Sequence, residues 1–123
     1  MSGLLFPKGS SKKRKQIHAR SSILQADTDR RRCWLCMRLN GDYAEHMPGA
    51  LHKHHIYEGR GLRRISEAEG FYVWLCPQHH EFGQVSAHRD IETRRSLQRA
   101  AQEVYERKHT REEFLQLIGR SYL

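Results

Sequence analysis

Apolar positions along this chain follow two rhythms. From residue 90 onward they return at helical intervals. Ile91, Leu97, Ala101, Val104 and Tyr105 fall on one helical face, which predicts a helix over 90–108 with Asp90 as its N-cap. Thr110-Arg-Glu-Glu113 then reads as a capping box, followed by the apolar Phe114, Leu115, Leu117 and Ile118 and by Gly119 as the stop. Earlier in the chain the rhythm is that of strands. Phe71-Tyr-Val-Trp-Leu75 is aromatic and β-branched, and predicts a buried strand. Residues 51–57 alternate more weakly and predict a second strand, closed by Gly59-Arg60-Gly61. Between the two, 62–70 reads as a polar loop with one helical turn at 66–69. Pro77 suits the first position of a helix or turn that starts after Cys76. Residues 40–49 carry two turn signals and read as loop, while 21–30 are too short to decide between a helical turn and a strand. Strands in the middle and helices at the end predict an α+β fold.

Composition narrows this picture. The chain has 123 residues, enough for one domain with a modest core, and only 37% are apolar. A metal is a common way to stabilise such a small core. The net charge of +8 points to a polyanionic partner, most simply nucleic acid. Residues 1–20 hold Lys8, Lys12, Lys13, Arg14, Lys15 and Arg20 without an acid, and predict a flexible basic arm before a domain spanning 21–123. Such an arm grips phosphates without sequence preference. No stretch has transmembrane length, and Leu4-Leu5-Phe6 is too short for the core of a signal peptide. A cytoplasmic location is therefore expected, with no membrane partner, where thiols stay reduced.

The chemistry is concentrated in cysteines and histidines. Three cysteines cannot all pair internally, and Cys33-x2-Cys36 suits a zinc knuckle better than a disulfide. Cys76-x2-His79 offers a second knuckle, so Cys33, Cys36, Cys76 and His79 form a candidate Cys3His structural zinc site. Closing the intervening segment on a metal makes metal binding part of the folding energy. His54, His55 and His80 remain. Adjacent residues on a strand point to opposite faces, so one ring of His54-His55 can bind a metal while the other faces a substrate. Hydrolysis of a phosphodiester needs a base, a cation on the phosphate and help for the leaving oxygen, and this cluster can supply a base and two ligands.

These runs resemble the HNH nucleases, a ββα-metal or His-Me finger group. The matching segments are Cys33-Trp-Leu-Cys36, His54-His55-Ile56 and Leu75-Cys76-Pro-Gln-His79-His80. More narrowly, Ser22-Ile-Leu24, His52-Lys-His-His-Ile56, Trp74-Leu-Cys-Pro-Gln-His-His80 and Gly119-Arg-Ser-Tyr-Leu123 are similar to small phage and prophage proteins related to the RecA-dependent, recombination-enhancing nucleases. The chain departs from the HNH pattern in using His79 where a cysteine is usual. It also has no asparagine in 71–75, where the middle residue of the pattern stands.

The resemblance implies a zinc-stabilised ββα-metal unit that cuts DNA. His54 and His80 would ligate the catalytic metal, with His88 the nearest further ligand, and His55 would be the general base. Magnesium or manganese is the expected cation, and a RecA-type recombinase filament the expected protein partner. Lys12, Lys13, Arg14, Lys15, Arg30, Arg31, Arg32, Lys53 and Arg60 are candidate phosphate contacts, and Arg63 and Arg64 lie nearest the histidine pair in sequence. The alternative is a zinc-stabilised DNA-binding or recombination accessory protein without catalysis.

Overall fold

The computed structural model describes residues 20–123. Lys12, Lys13, Arg14 and Lys15 of the expected arm lie outside the described residues. In chain order there is a 3-10 turn at Asp27–Asp29, helix α1 (Trp34–Asn40), strand β1 (His52–His55), helix α2 (Leu62–Glu69) and strand β2 (Tyr72–Leu75). A π-helical turn (Gln78–Phe82) and helices α3 (Ile91–Tyr105) and α4 (Arg111–Ile118) complete the α+β fold.

The two strands pair antiparallel, with His52 opposite Leu75, Lys53 opposite Trp74, His54 opposite Val73 and His55 opposite Tyr72. Directly opposed residues share a face. One face therefore carries His52, His54, Val73 and Leu75, and the other carries Lys53, His55, Tyr72 and Trp74. The first face turns inward, where His54, Val73 and Leu75 are buried.

The segment before β2 is a helix, not the polar loop that 62–70 predicts. Gly61 and Gly70 take left-handed conformations at its two ends. Leu62 and Ile65 pack on the core and Ser66 is buried, donating to the Tyr57 carbonyl at 2.8 Å. Only Leu62 and Ile65 form its apolar stripe, amid charges, which hides the period. A second difference is α1, which grows out of the Cys33-x2-Cys36 knuckle. The Cys33 sulfur accepts the Cys36 N–H at 3.4 Å and so caps the helix, and Gly41 ends it.

Residues 20–25 form neither helix nor strand. Their side chains instead take up the polar groups beside β2. Ser22 Oγ donates to the Tyr72 carbonyl at 2.5 Å, and Gln25 Oε1 accepts the Trp74 N–H at 2.8 Å. The Ile23 N–H donates to the Gly70 carbonyl at 3.0 Å, and a Cβ at Gly70 would collide with the Ser21 carbonyl. Arg20 belongs to this anchored segment rather than to a free arm, since its carbonyl accepts the Tyr72 hydroxyl.

The core is aromatic. Tyr57, Phe71 and Phe114 are fully buried and meet edge to face, with Tyr105 against Phe71. Burying each such ring contributes roughly 1.5–3 kcal/mol. Helix α3 supplies Leu97, Ala101 and Tyr105 to this cluster, but Ile91 at its start is half exposed and not on the buried face. Buried Gln102 accepts the Tyr122 N–H at 2.7 Å and fixes the C-terminal residues. The capping box of α4 forms as the sequence predicts, with Thr110 and Glu113 each bonding the other's backbone.

Candidate metal centres

Three segments bring Cys33, Cys36, Cys76 and His79 together. Cys33 and Cys36 flank the first turn of α1. Cys76 follows β2, and the π-helical turn carries His79 back over it. His79 Nδ1 lies 3.5, 3.4 and 3.5 Å from the sulfurs of Cys33, Cys36 and Cys76, and the Cys36 and Cys76 sulfurs are 3.9 Å apart. A tetrahedral zinc with ordinary bond lengths has edges of about 3.6 Å between nitrogen and sulfur and about 3.8 Å between sulfurs. The donor set and its spacing fit such an ion. No disulfide competes, as all three cysteines are free. Burial pushes the Cys33 and Cys36 thiols well up, so these groups become thiolates only against a cation. Burial also lowers His79, which keeps its ring neutral and its lone pair available.

A second cluster joins His54 of β1, His80 of the π-helical turn and His88 of the loop that follows. His80 Nε2 and His88 Nε2 are 3.1 Å apart. Adjacent corners of an octahedron with bonds of about 2.1 Å are about 3 Å apart. His54 is 1% exposed, and neither of its ring nitrogens has a hydrogen-bond partner among the described residues. A buried imidazole with both nitrogens unsatisfied is costly unless something else takes a lone pair. Burial first, then the neighbouring His88 and His80, pulls its pKa down to about 3, so the ring is neutral. Other polar groups back its two companions. His80 Nδ1 faces His52 Nδ1 at 2.9 Å, and His88 Nδ1 faces a Glu58 oxygen at 3.7 Å. If His80 donates from Nδ1 to His52, its Nε2 keeps the lone pair for a cation.

His55 is not part of that cluster. Its ring lies on the other face of β1, where Nε2 is 2.6 Å from Glu67 Oε1. The second Glu67 oxygen accepts from Lys53 Nζ at 2.6 Å. Burial raises the Glu67 carboxyl, but the bonds from Lys53 and His55 outweigh it and hold the group below its usual range. A carboxylate only accepts, so the proton of neutral His55 sits on Nε2 and Nδ1 keeps the lone pair. Arg63, Arg64 and Gly61 share a cavity of about 450 Å³ with His55 and Glu67. The first residues of α2 thus bring both arginines to the His55 ring.

The other basic candidates divide into paired and open. Arg32 holds the loop after α1, bonding the Tyr43 carbonyl at 2.7 Å and Asp29 at 2.7 Å, with Glu45 at 3.4 Å. Lys53 is held by Glu67 and lies 4.1 Å over the Tyr72 ring. Neither side chain is free to grip a phosphate without breaking these contacts. Arg30, Arg31 and Arg60 are exposed.

The chain matches no protein-family model, no curated protein and no solved structure. Among the described residues no helix is long and apolar enough to cross a membrane. Three residues around the centres were assigned no role from the sequence. His52 was readable, because residues two apart on a strand share a face and His52 therefore sits beside His54. Glu67 was hidden by the misread α2. Glu58 gives no local signal.

Proposed function

We propose that this chain is a metal-dependent endonuclease of the HNH, ββα-metal type, hydrolysing phosphodiester bonds in DNA. The observation that carries the reading is what stands at two successive residues. His54 enters an imidazole trio with unsatisfied nitrogens, and His55 is clamped by a carboxylate beside two arginines. Zinc at Cys33, Cys36, Cys76 and His79 ties α1 to the end of β2. His54, His80 and His88 would hold a divalent cation, which supplies charge stabilisation at the scissile phosphate and the leaving oxygen. Three imidazoles are softer donors than the oxygens magnesium prefers, so of the two expected cations manganese fits better, and nickel, cobalt or zinc would also bind.

In this reading His55 takes a proton from water at Nδ1, while Glu67 holds its other nitrogen. Glu67 then does from α2 what the missing asparagine does in the family pattern. Arg63 and Arg64 bind the phosphate oxygens. With only two strands in the sheet, the outer edge of β1 is unpaired among the described residues, so a phosphate can approach His55 there, with a cation held by His54, His80 and His88 on the other side.

One observation favours the non-catalytic alternative, a zinc-stabilised DNA-binding or recombination accessory protein: the His55 ring points away from the trio. A supercoiled-plasmid assay on zinc-loaded protein, with manganese, magnesium or no added cation, separates the two. Nicking that needs the cation and is lost in His55→Ala supports the nuclease. Binding without nicking under every condition supports the accessory protein. An arm containing a RecA-type filament tests the recombination link, which predicts stimulation.

A further inference from the structure

The outer face of the sheet extends beyond His55 to a second, unassigned cavity of about 330 Å³. Arg30, Arg31, Met47, Pro48, Leu51 and Trp74 line it. Its wall is built rather than incidental. The His46 N–H donates to the Arg31 carbonyl at 2.8 Å, and Arg31 Nε donates back to the His46 carbonyl at 3.0 Å. Arg32 pins the same loop at Tyr43 and Glu45. A turn closed by Ala50 N–H on the Met47 carbonyl, at 3.0 Å, then sets Met47 and Pro48 across from Trp74. On the floor, Trp74 is fixed through its backbone by Gln25.

The lining has two chemistries. Trp74, Met47 and Leu51 offer a flat aromatic and aliphatic slot. Arg30 and Arg31 stand at it with no carboxylate paired to either among the described residues. A planar ring carrying an anionic group satisfies both. Trp74 stands opposite Lys53, and Leu51 just precedes β1, so the slot lies about 7–13 Å from the His55 ring along the strand. Phosphates along one strand of B-form DNA are about 3.4 Å apart, so that distance spans a few nucleotides.

We infer that this cavity is a subsite for an unpaired nucleotide of the bound strand, its base stacked on Trp74 and its phosphate held by Arg30 and Arg31. The inference rests on the nucleic-acid partner of the proposed function but not on cleavage. It makes the preferred substrate a strand with an exposed base, such as single-stranded or branched DNA, rather than a blunt duplex. Stacking on an aromatic side chain tolerates any base, so little sequence preference is expected.

The test uses full-length, zinc-loaded protein carrying His55→Ala, without chelator. Trp34→Phe is added so that Trp74 is the sole tryptophan. Titration with a twelve-residue oligothymidylate quenches Trp74 fluorescence, and the blunt duplex and thymidine monophosphate do so only at much higher concentration. Trp74→Ala, followed by anisotropy of a labelled oligonucleotide, weakens single-strand binding about tenfold or more, and Trp74→Phe retains most of it. Arg30→Ala, at an exposed position that does not threaten the fold, weakens binding and lowers the salt slope by about one. Unchanged affinity in Trp74→Ala, or equal quenching by the blunt duplex, overturns the inference. Equal affinity for the mononucleotide also overturns it, giving the site to a free nucleotide. Quenching by a protein whose wild type never nicks plasmid would sink the nuclease reading alone.

Discussion

The two candidate metal centres meet at His79 and His80 and are built on opposite plans. The sulfur-rich centre has four donors at tetrahedral spacing, two from the start of α1 and two from the turn after β2. It leaves no corner for anything else, which is the arrangement of a structural zinc site. The imidazole centre has three donors, graded from buried His54 to exposed His88. It is open on the His88 side, as a site that admits a reacting oxygen must be. The lesson is that a single turn of chain can serve both. Successive residues in the π-helical turn diverge, so His79 stands with the three cysteines and His80 with His54 and His88.

The contrast can be broken most severely at the sulfur centre. Cys33→Ser or Cys76→Ser is expected to abolish cooperative thermal unfolding and zinc retention together, read by circular dichroism and elemental analysis. A normal melting curve for Cys33→Ser would remove the claim that zinc holds the fold. Next in size is His55→Ala, expected to lower plasmid nicking by about 10²–10⁴-fold with an unchanged melting temperature. Glu67→Gln should show a smaller loss of turnover with little change in DNA affinity, because it loosens the base without removing it. Full activity in Glu67→Gln would show that something else orients His55.

A finer test concerns His52. If it fixes the tautomer of His80, His52→Ala weakens manganese binding at the open site about 10–100-fold and leaves zinc in place. Calorimetry of manganese added to zinc-loaded protein reads this directly. The smallest effect belongs to the scaffold away from both centres. Thr110→Ala removes the α4 cap and costs about 1 kcal/mol, roughly 4–8 °C in melting temperature for a domain of this size. Nicking and metal content should not move.

Much of the fold was readable because its signals are local. The Thr110–Glu113 capping box, the aromatic run at 71–75 and the period of α3 each fit in one window of sequence. The Cys3His donors were also legible, since two spacings of two residues are enough to name them. Helix α2 was not, because its charged residues mask the Leu62 and Ile65 stripe and Gly61 starts it without a side-chain cap. Losing α2 meant losing Glu67, whose role exists only through a contact across twelve residues to His55. Arg32 and Lys53 show the reverse case. Their charge reads as phosphate affinity, but tertiary contacts with Glu45, Asp29 and Glu67 engage it.

The claim beneath the whole account is that this chain holds two cations of different standing. Native mass spectrometry of the protein with excess manganese counts them directly. One zinc and one manganese are expected in the wild type, and one zinc alone in His54→Ala, with the fold intact. A wild type that never carries more than one ion, or a His54→Ala protein that still carries two, would contradict it.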